Sequence, residues 1–143
     1  MKGRLLQFIF LKNPKQSECK MKNLKILLVD DEVEFVTTLA ERLRLREFQT
    51  EISTDGEDAL NLFDESVFDV VVLDVFMPGM SGFDVLKELK NRNSNIPVIL
   101  LTGHGATEEG VEGMSLGAFD YLMKPIDIEE LTEKINAAVK GNK

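Results

Sequence analysis

The run Val70-Val71-Val72-Leu73 constrains this chain more than any other feature, because it is continuous, apolar and rich in β-branched residues. An apolar run without alternation is how a strand buried on both faces reads, and such strands belong to parallel sheets covered by helices on either side. Asp74 ends the run. Pro78, Gly79 and Gly82 follow it with turn chemistry, so Asp74 stands where buried strand gives way to loop. Ligands of open α/β sheets bind outside the carboxyl ends of the strands, which makes Asp74 the candidate reacting group.

The rest of the chain repeats this unit. Ile26 to Val29 is a second buried run, and it also ends in acid, at Asp30, Asp31 and Glu32. Phe35, Val36, Leu39, Ala40 and Leu43 then recur at helical spacing, and Asp31 with Glu34 is placed as a capping box. Phe48 to Ile52 is a more polar, alternating strand suited to a sheet edge, and Gly56 opens the helix that carries Ala59, Leu60 and Phe63. Beyond Asp74, Phe83, Leu86 and Leu89 mark a helix that the asparagines at 91, 93 and 95 bring to an end. Pro97 to Leu101 is another apolar run, ending at Thr102. A helix is expected over Thr107 to Leu116, weakened by Gly110 and Gly113 at about 1 kcal/mol each relative to alanine. Ala118 to Met123 is the last strand, closed by Lys124-Pro125, and Ile128, Leu131, Ile135 and Ala138 are the inner stripe of a final helix.

Alternating strands and helices predict a doubly wound five-stranded parallel sheet with right-handed crossovers, a flavodoxin-like three-layer α/β sandwich. With the polar second strand at an edge, the strand order is 2-1-3-4-5. The switch point then lies between the strands ending in Asp30-Asp31 and in Asp74.

Four strand ends therefore bring Asp30, Asp31, Asp74, Thr102 and Lys124 to one crevice. Each residue also has a plainer explanation: a helix cap for Asp31, a turn residue for Asp74, a turn contact for Thr102, an exposed loop cation for Lys124. Their convergence on the single pocket of one sheet weighs against those explanations. Carboxylates about 4 Å apart repel by roughly 4 kcal/mol per pair at an effective dielectric of 20, so the cluster calls for positive charge. Lys124 supplies one charge and a divalent cation the rest. An all-oxygen set with no thiolate or histidine ligand suggests magnesium. A cation beside Asp74 would also neutralise an incoming phosphoryl group, whose outer oxygens Lys124 and the Thr102 hydroxyl can meet.

Residues 23 to 140 resemble the receiver domain of bacterial two-component response regulators, with the fold of the chemotaxis regulators. The motifs that carry the resemblance are Leu-Val-Asp-Asp-Glu at 28–32, Asp74 followed by Met-Pro-Gly-Met-Ser-Gly at 77–82, Leu-Thr-Gly at 101–103, and Ala-Phe-Asp-Tyr-Leu-Met-Lys-Pro at 118–125. The resemblance implies that Asp74 accepts a phosphoryl group from a sensor histidine kinase or a histidine phosphotransfer protein. It implies that Asp30, Asp31, Asp74 and the Phe76 carbonyl hold Mg2+, that Thr102 and Tyr121 form a switch pair, and that the Lys124-Pro125 bond is cis. A separate downstream protein target and pairing of two copies on phosphorylation are further outputs it allows. Thr-Gly-His-Gly at 102–105 is most similar to nitrogen-regulation-type receivers, with Gly103 where alanine is commoner.

The rival reading is an aspartyl-phosphate hydrolase, which also uses a strand-end aspartate, a lysine and magnesium. Such enzymes usually place a second acid two residues after the nucleophile, and Phe76 stands there. A receiver that only binds is a third reading, opposed by the full set of Asp30, Asp31, Asp74, Thr102 and Lys124. His104 is read as a pocket-edge residue, since zinc sites need several nitrogen or sulfur donors. Met77 and Met80 are read as loop packing.

Of the net charge of −8 on the 143 residues, the first 22 contribute +5, from six basic residues against Glu18, so the remainder stands at −13. A body that acidic disfavours direct nucleic-acid contact. The apolar run Leu5 to Leu11 is interrupted by Gln7, lacks a small-residue cleavage site and is too short to span a bilayer. Residues 1–22 are accordingly read as an extension outside the fold, with Met21 as an alternative start, and 23–143 as the receiver. The lone Cys19 permits no internal disulfide and fits a reducing cytoplasm. Because the last helix ends close to Lys143, the expected output is through a surface and not through an appended domain.

Overall fold

The computed structural model describes residues 23–103 and 107–141. The expectations for residues 1–22 and for His104 lie outside the described residues. The elements are β1 (Lys25–Val29), α1 (Val33–Leu45), β2 (Gln49–Ser53), α2 (Gly56–Glu65), β3 (Val70–Asp74), α3 (Gly82–Arg92), β4 (Val98–Thr102), α4 (Thr107–Ser115), β5 (Asp120–Met123) and α5 (Ile128–Gly141). The strands form one parallel sheet in the order β2-β1-β3-β4-β5, as the sequence pattern predicts.

Side chains alternate across β3, so its uninterrupted apolar run feeds two cores. Val70 and Val72 pack with Ile26, Leu28, Ile99 and the inner stripes of α1 and α5. Val71 and Leu73 pack on the other face with Leu27, Val29, Leu100 and the stripes of α2 and α3. All five β3 residues are buried, Asp74 included. A fully buried leucine or valine side chain contributes about 1.5–3 kcal/mol, and this double-sided burial is what holds the carboxyl end of β3 in place.

Two local expectations are corrected. The capping box of Asp31 and Glu34 does not form: α1 has Glu32 at its N-cap, and no side chain caps it. The backbone is tied instead by Asp30, whose Oδ1 accepts from the Glu32 N–H at 2.9 Å, which leaves Asp31 for the cleft. The edge strand starts one residue later than Phe48, whose ring is buried in the core beneath α1. Where capping motifs do form they hold firmly, at Asp55 on α2 and Ser81 on α3, each accepting from the N–H three residues on.

The glycines that weaken α4 have a steric reason. A Cβ on Gly110 would lie 2.4–2.6 Å from carbons of the Tyr121 ring, and one on Gly113 would lie 2.0 Å from a Leu100 methyl. Close seating of α4 on β4 and β5 offsets the lost helix propensity.

Candidate phosphoacceptor site

At the switch point, Val29 and Leu73 are register partners on β1 and β3, so Asp30, just past β1, and Asp74, the last residue of β3, come next to each other. Asp30, Asp31 and Asp74 each offer one carboxylate oxygen, and all three oxygens lie within 4.8 Å of one another. Asp30 is 1% exposed and Asp74 5%. Asp74 lies at the floor of an open cleft of about 330 Å3 that is lined by Asp31, Glu32, Asp74, Phe76, Gly103 and Lys124, with Asp30 buried next to it.

Lys124 reaches the cluster from just past the end of β5, and the bond that follows it, Lys124-Pro125, is cis as the resemblance implies. Its Nζ lies 2.9 Å from Asp30 Oδ2, 2.9 Å from Glu32 Oε1 and 3.7 Å from Asp74 Oδ1, and 4.5 Å from the centre of the Phe35 ring. Burial acts to lower the ammonium pKa, but the carboxylates of Asp30 and Glu32 outweigh it and hold the value above that of an ordinary lysine. One lysine does not balance this much acid. Burial, reinforced by the charge of Asp30, pushes the Asp74 carboxyl up to about 7, and burial also raises Asp30.

The turn after β3 is built for close approach. A Cβ on Gly82 would stand 2.1 Å from the Asp74 carbonyl oxygen, so only glycine lets the start of α3 lie against the end of β3. The Gly82 N–H donates to the Val75 carbonyl at 2.8 Å and closes the loop. The Phe76 N–H donates to the Asp74 carboxylate, while the Phe76 side chain stands 59% exposed at the cleft's rim.

The structure brings together Asp30, Asp31, Asp74, Phe76 and Lys124. It does not bring Thr102 to the cleft wall: that side chain is fully buried, and its hydroxyl donates to the Leu122 carbonyl at 3.4 Å, toward β5. Tyr121 is half-buried under α4, against Gly110. Two contacts were missed from sequence, Glu32 and Phe35 on Lys124. Glu32 was part of the acidic run, but its reach to a residue 92 positions away is not a local signal.

The donor set fits magnesium. It is all oxygen, it comes from three carboxylates on two adjacent strand ends, and the buried Asp30 Oδ2 accepts no hydrogen bond of good angle although Lys124 lies beside it.

Residues 26–136 match the family model for the response regulator receiver domain. The chain belongs to that family. This receiver is 46% identical over 116 residues to the transcriptional regulatory protein CpxR of Klebsiella pneumoniae subsp. pneumoniae (strain HS11286), in an alignment that covers 81% of this chain and 49% of CpxR. It therefore spans about half the length of that relative. Among solved structures, the Francisella response regulator 1452 receiver domain matches with a TM-score of 0.79 and 36% identity, over 85% of this chain and 100% of that one. The receiver domain of NtrX from Brucella abortus matches with a TM-score of 0.78 and 30% identity, over 80% and 98%. The receiver thus has the fold and family of two-component signalling proteins. No helix among its described residues is long and apolar enough to cross a membrane.

Proposed function

We propose that this receiver accepts a phosphoryl group on Asp74 from the phosphohistidine of a sensor histidine kinase or a histidine phosphotransfer protein. The phosphorus–nitrogen bond breaks, a phosphorus–oxygen bond forms to the Asp74 carboxylate, and the imidazole leaves. The observation that carries this reading is the buried Asp74 carboxylate at the floor of an open cleft, with Lys124 Nζ 3.7 Å away and two further carboxylates beside it.

Asp30, Asp31, Asp74 and the Phe76 carbonyl would hold Mg2+, which when bound supplies charge neutralisation for the acids and for phosphoryl oxygens. The chain's own residues do the rest. The Gly82 turn fixes Asp74, the acids exclude anions until their charge is balanced, and Lys124 stands where it can pair with a phosphoryl oxygen. Thr102 and Tyr121 form the switch: the Thr102 hydroxyl leaves the Leu122 carbonyl for the phosphoryl group, and Tyr121 moves into the space it vacates. The signal passes to a separate protein target or to a second copy of the chain, in the cytoplasm, and the acidic receiver itself makes no nucleic-acid contact.

Labelling with acetyl phosphate in Mg2+ tests the reading, with one stable adduct on Asp74 expected. Asp74→Asn should abolish the adduct while the fold remains; unaltered labelling would overturn the assignment. Asp31→Ala should weaken magnesium binding about 10-fold or more, read by titration. An aspartyl-phosphate hydrolase would instead turn the donor over rapidly, and Phe76 offers no acid with which to activate water.

A further inference from the structure

Lys124 has two close partners of opposite character. Asp30 is 1% exposed, anchored by the Glu32 N–H on its other oxygen, and has no room to leave. The Glu32 side chain is 62% exposed and reaches Lys124 from the N-cap of α1 at 2.9 Å. Its backbone is fixed by Asp30, but its side chain is held in place by nothing but the lysine among the contacts described. Together the two acids keep the ammonium 3.7 Å from Asp74, on the α1 side of the cleft, where the Phe35 ring also faces it. A phosphoryl group arriving on Asp74 needs this ammonium, and Glu32 is the partner that can swing into solvent at little cost.

We propose that Glu32 is a positioning residue that occupies Lys124 before phosphorylation and is displaced from it by the phosphoryl group. This rests on the reading of Asp74 as phosphoacceptor and deepens it. Glu32 is then a built-in competitor: it slows acceptance by holding Lys124 back, and it shortens the life of the adduct by competing to recapture the lysine. Neither effect depends on the overall negative field of the cleft, because the contact needs the full length of the glutamate side chain. Exposed ion pairs are weak, so the competition corresponds to about two- to five-fold in rate.

The test uses the full chain, acetyl phosphate and saturating Mg2+. Glu32→Gln keeps the shape and removes the charge, whereas Glu32→Asp keeps the charge and loses the reach by one methylene. Both should speed labelling of Asp74 by about two- to five-fold and slow its loss after donor removal. A metal-free readout accompanies them: acylation of Lys124 by acetic anhydride, located by peptide mass, should quicken in both variants as the amine is released. Unchanged labelling and acylation in Glu32→Gln would overturn the proposal. An effect in Glu32→Gln with none in Glu32→Asp would also overturn it, in favour of a field effect. Should Asp74→Asn still label like the parent protein, the phosphoacceptor reading itself fails, an outcome distinct from either of these.

Discussion

Asp74 and Phe76 lie two residues apart and take opposite environments, one at the floor of the cleft and the other at its rim. On the proposed reading of Asp74 as phosphoacceptor, loss of the acyl phosphate requires a water in line with the Asp74 oxygen, and access over the rim would set its lifetime. The Phe76 ring has bulk and no group to orient water, and it lines the cleft while standing 59% exposed. Replacing it with asparagine should open the approach and supply a group that can hydrogen-bond the water. Phe76→Asn is expected to lose label about 3-fold faster or more after donor removal, a barrier lowering of at least about 0.6 kcal/mol. An equal or slower loss would show that Phe76 does not gate the water. The sequence is informative at this scale because the identity of the residue after a fixed strand end is enough to place it. It is silent on Glu32, whose partner Lys124 comes from the far end of the chain, and on the direction of the Thr102 hydroxyl, which packing against β5 decides.

At the scale of elements, α4 and β5 are coupled through the Tyr121 ring. Alanine at Gly110 should favour the isolated helix by about 1 kcal/mol, yet its methyl would enter space the ring already fills. Overpacking of this kind costs about 1–3 kcal/mol, so the steric effect wins. Gly110→Ala is therefore expected to destabilise the protein in urea unfolding, and the same change in a Tyr121→Ala background to stabilise it. Stabilisation in both backgrounds would mean that the ring does not meet Gly110 in solution. The two glycines looked from the sequence like defects in a helix. Their purpose is legible only when the strands beneath them are in place, since Leu100 and Tyr121 reach them from β4 and β5.

For the molecule as a whole, the acidic cluster is a stability cost that the fold carries in order to keep its site. The native Asp74 pKa of about 7 lies above the ordinary value of 3.8, so the native state binds a proton that the unfolded chain has released. The stability this confers is fully present below the unfolded value and is lost as pH rises through about 7. Without metal, Asp74→Asn should therefore be more stable than the parent protein at pH 8, and the gap should widen from pH 5 to pH 8 by on the order of 2–3 kcal/mol in denaturant titrations. Magnesium, which binds the native cluster and not the unfolded chain, should raise the parent Tm at pH 8 and raise that of Asp74→Asn much less. A gap independent of pH would place the Asp74 titration elsewhere. The sequence by itself determined the order of elements, the parallel sheet with its switch point, and the strand-end positions of Asp30, Asp31, Asp74 and Lys124. These follow from local signals, the two-sided burial of Val70 to Leu73 and the abrupt change to turn residues after Asp74. Only the tertiary structure decided which acid Lys124 meets, where the Thr102 hydroxyl points, why α4 carries glycines, and that no side chain caps α1. Each of those is settled by contact between elements distant along the chain, for which hydrophobic period and turn chemistry carry no information.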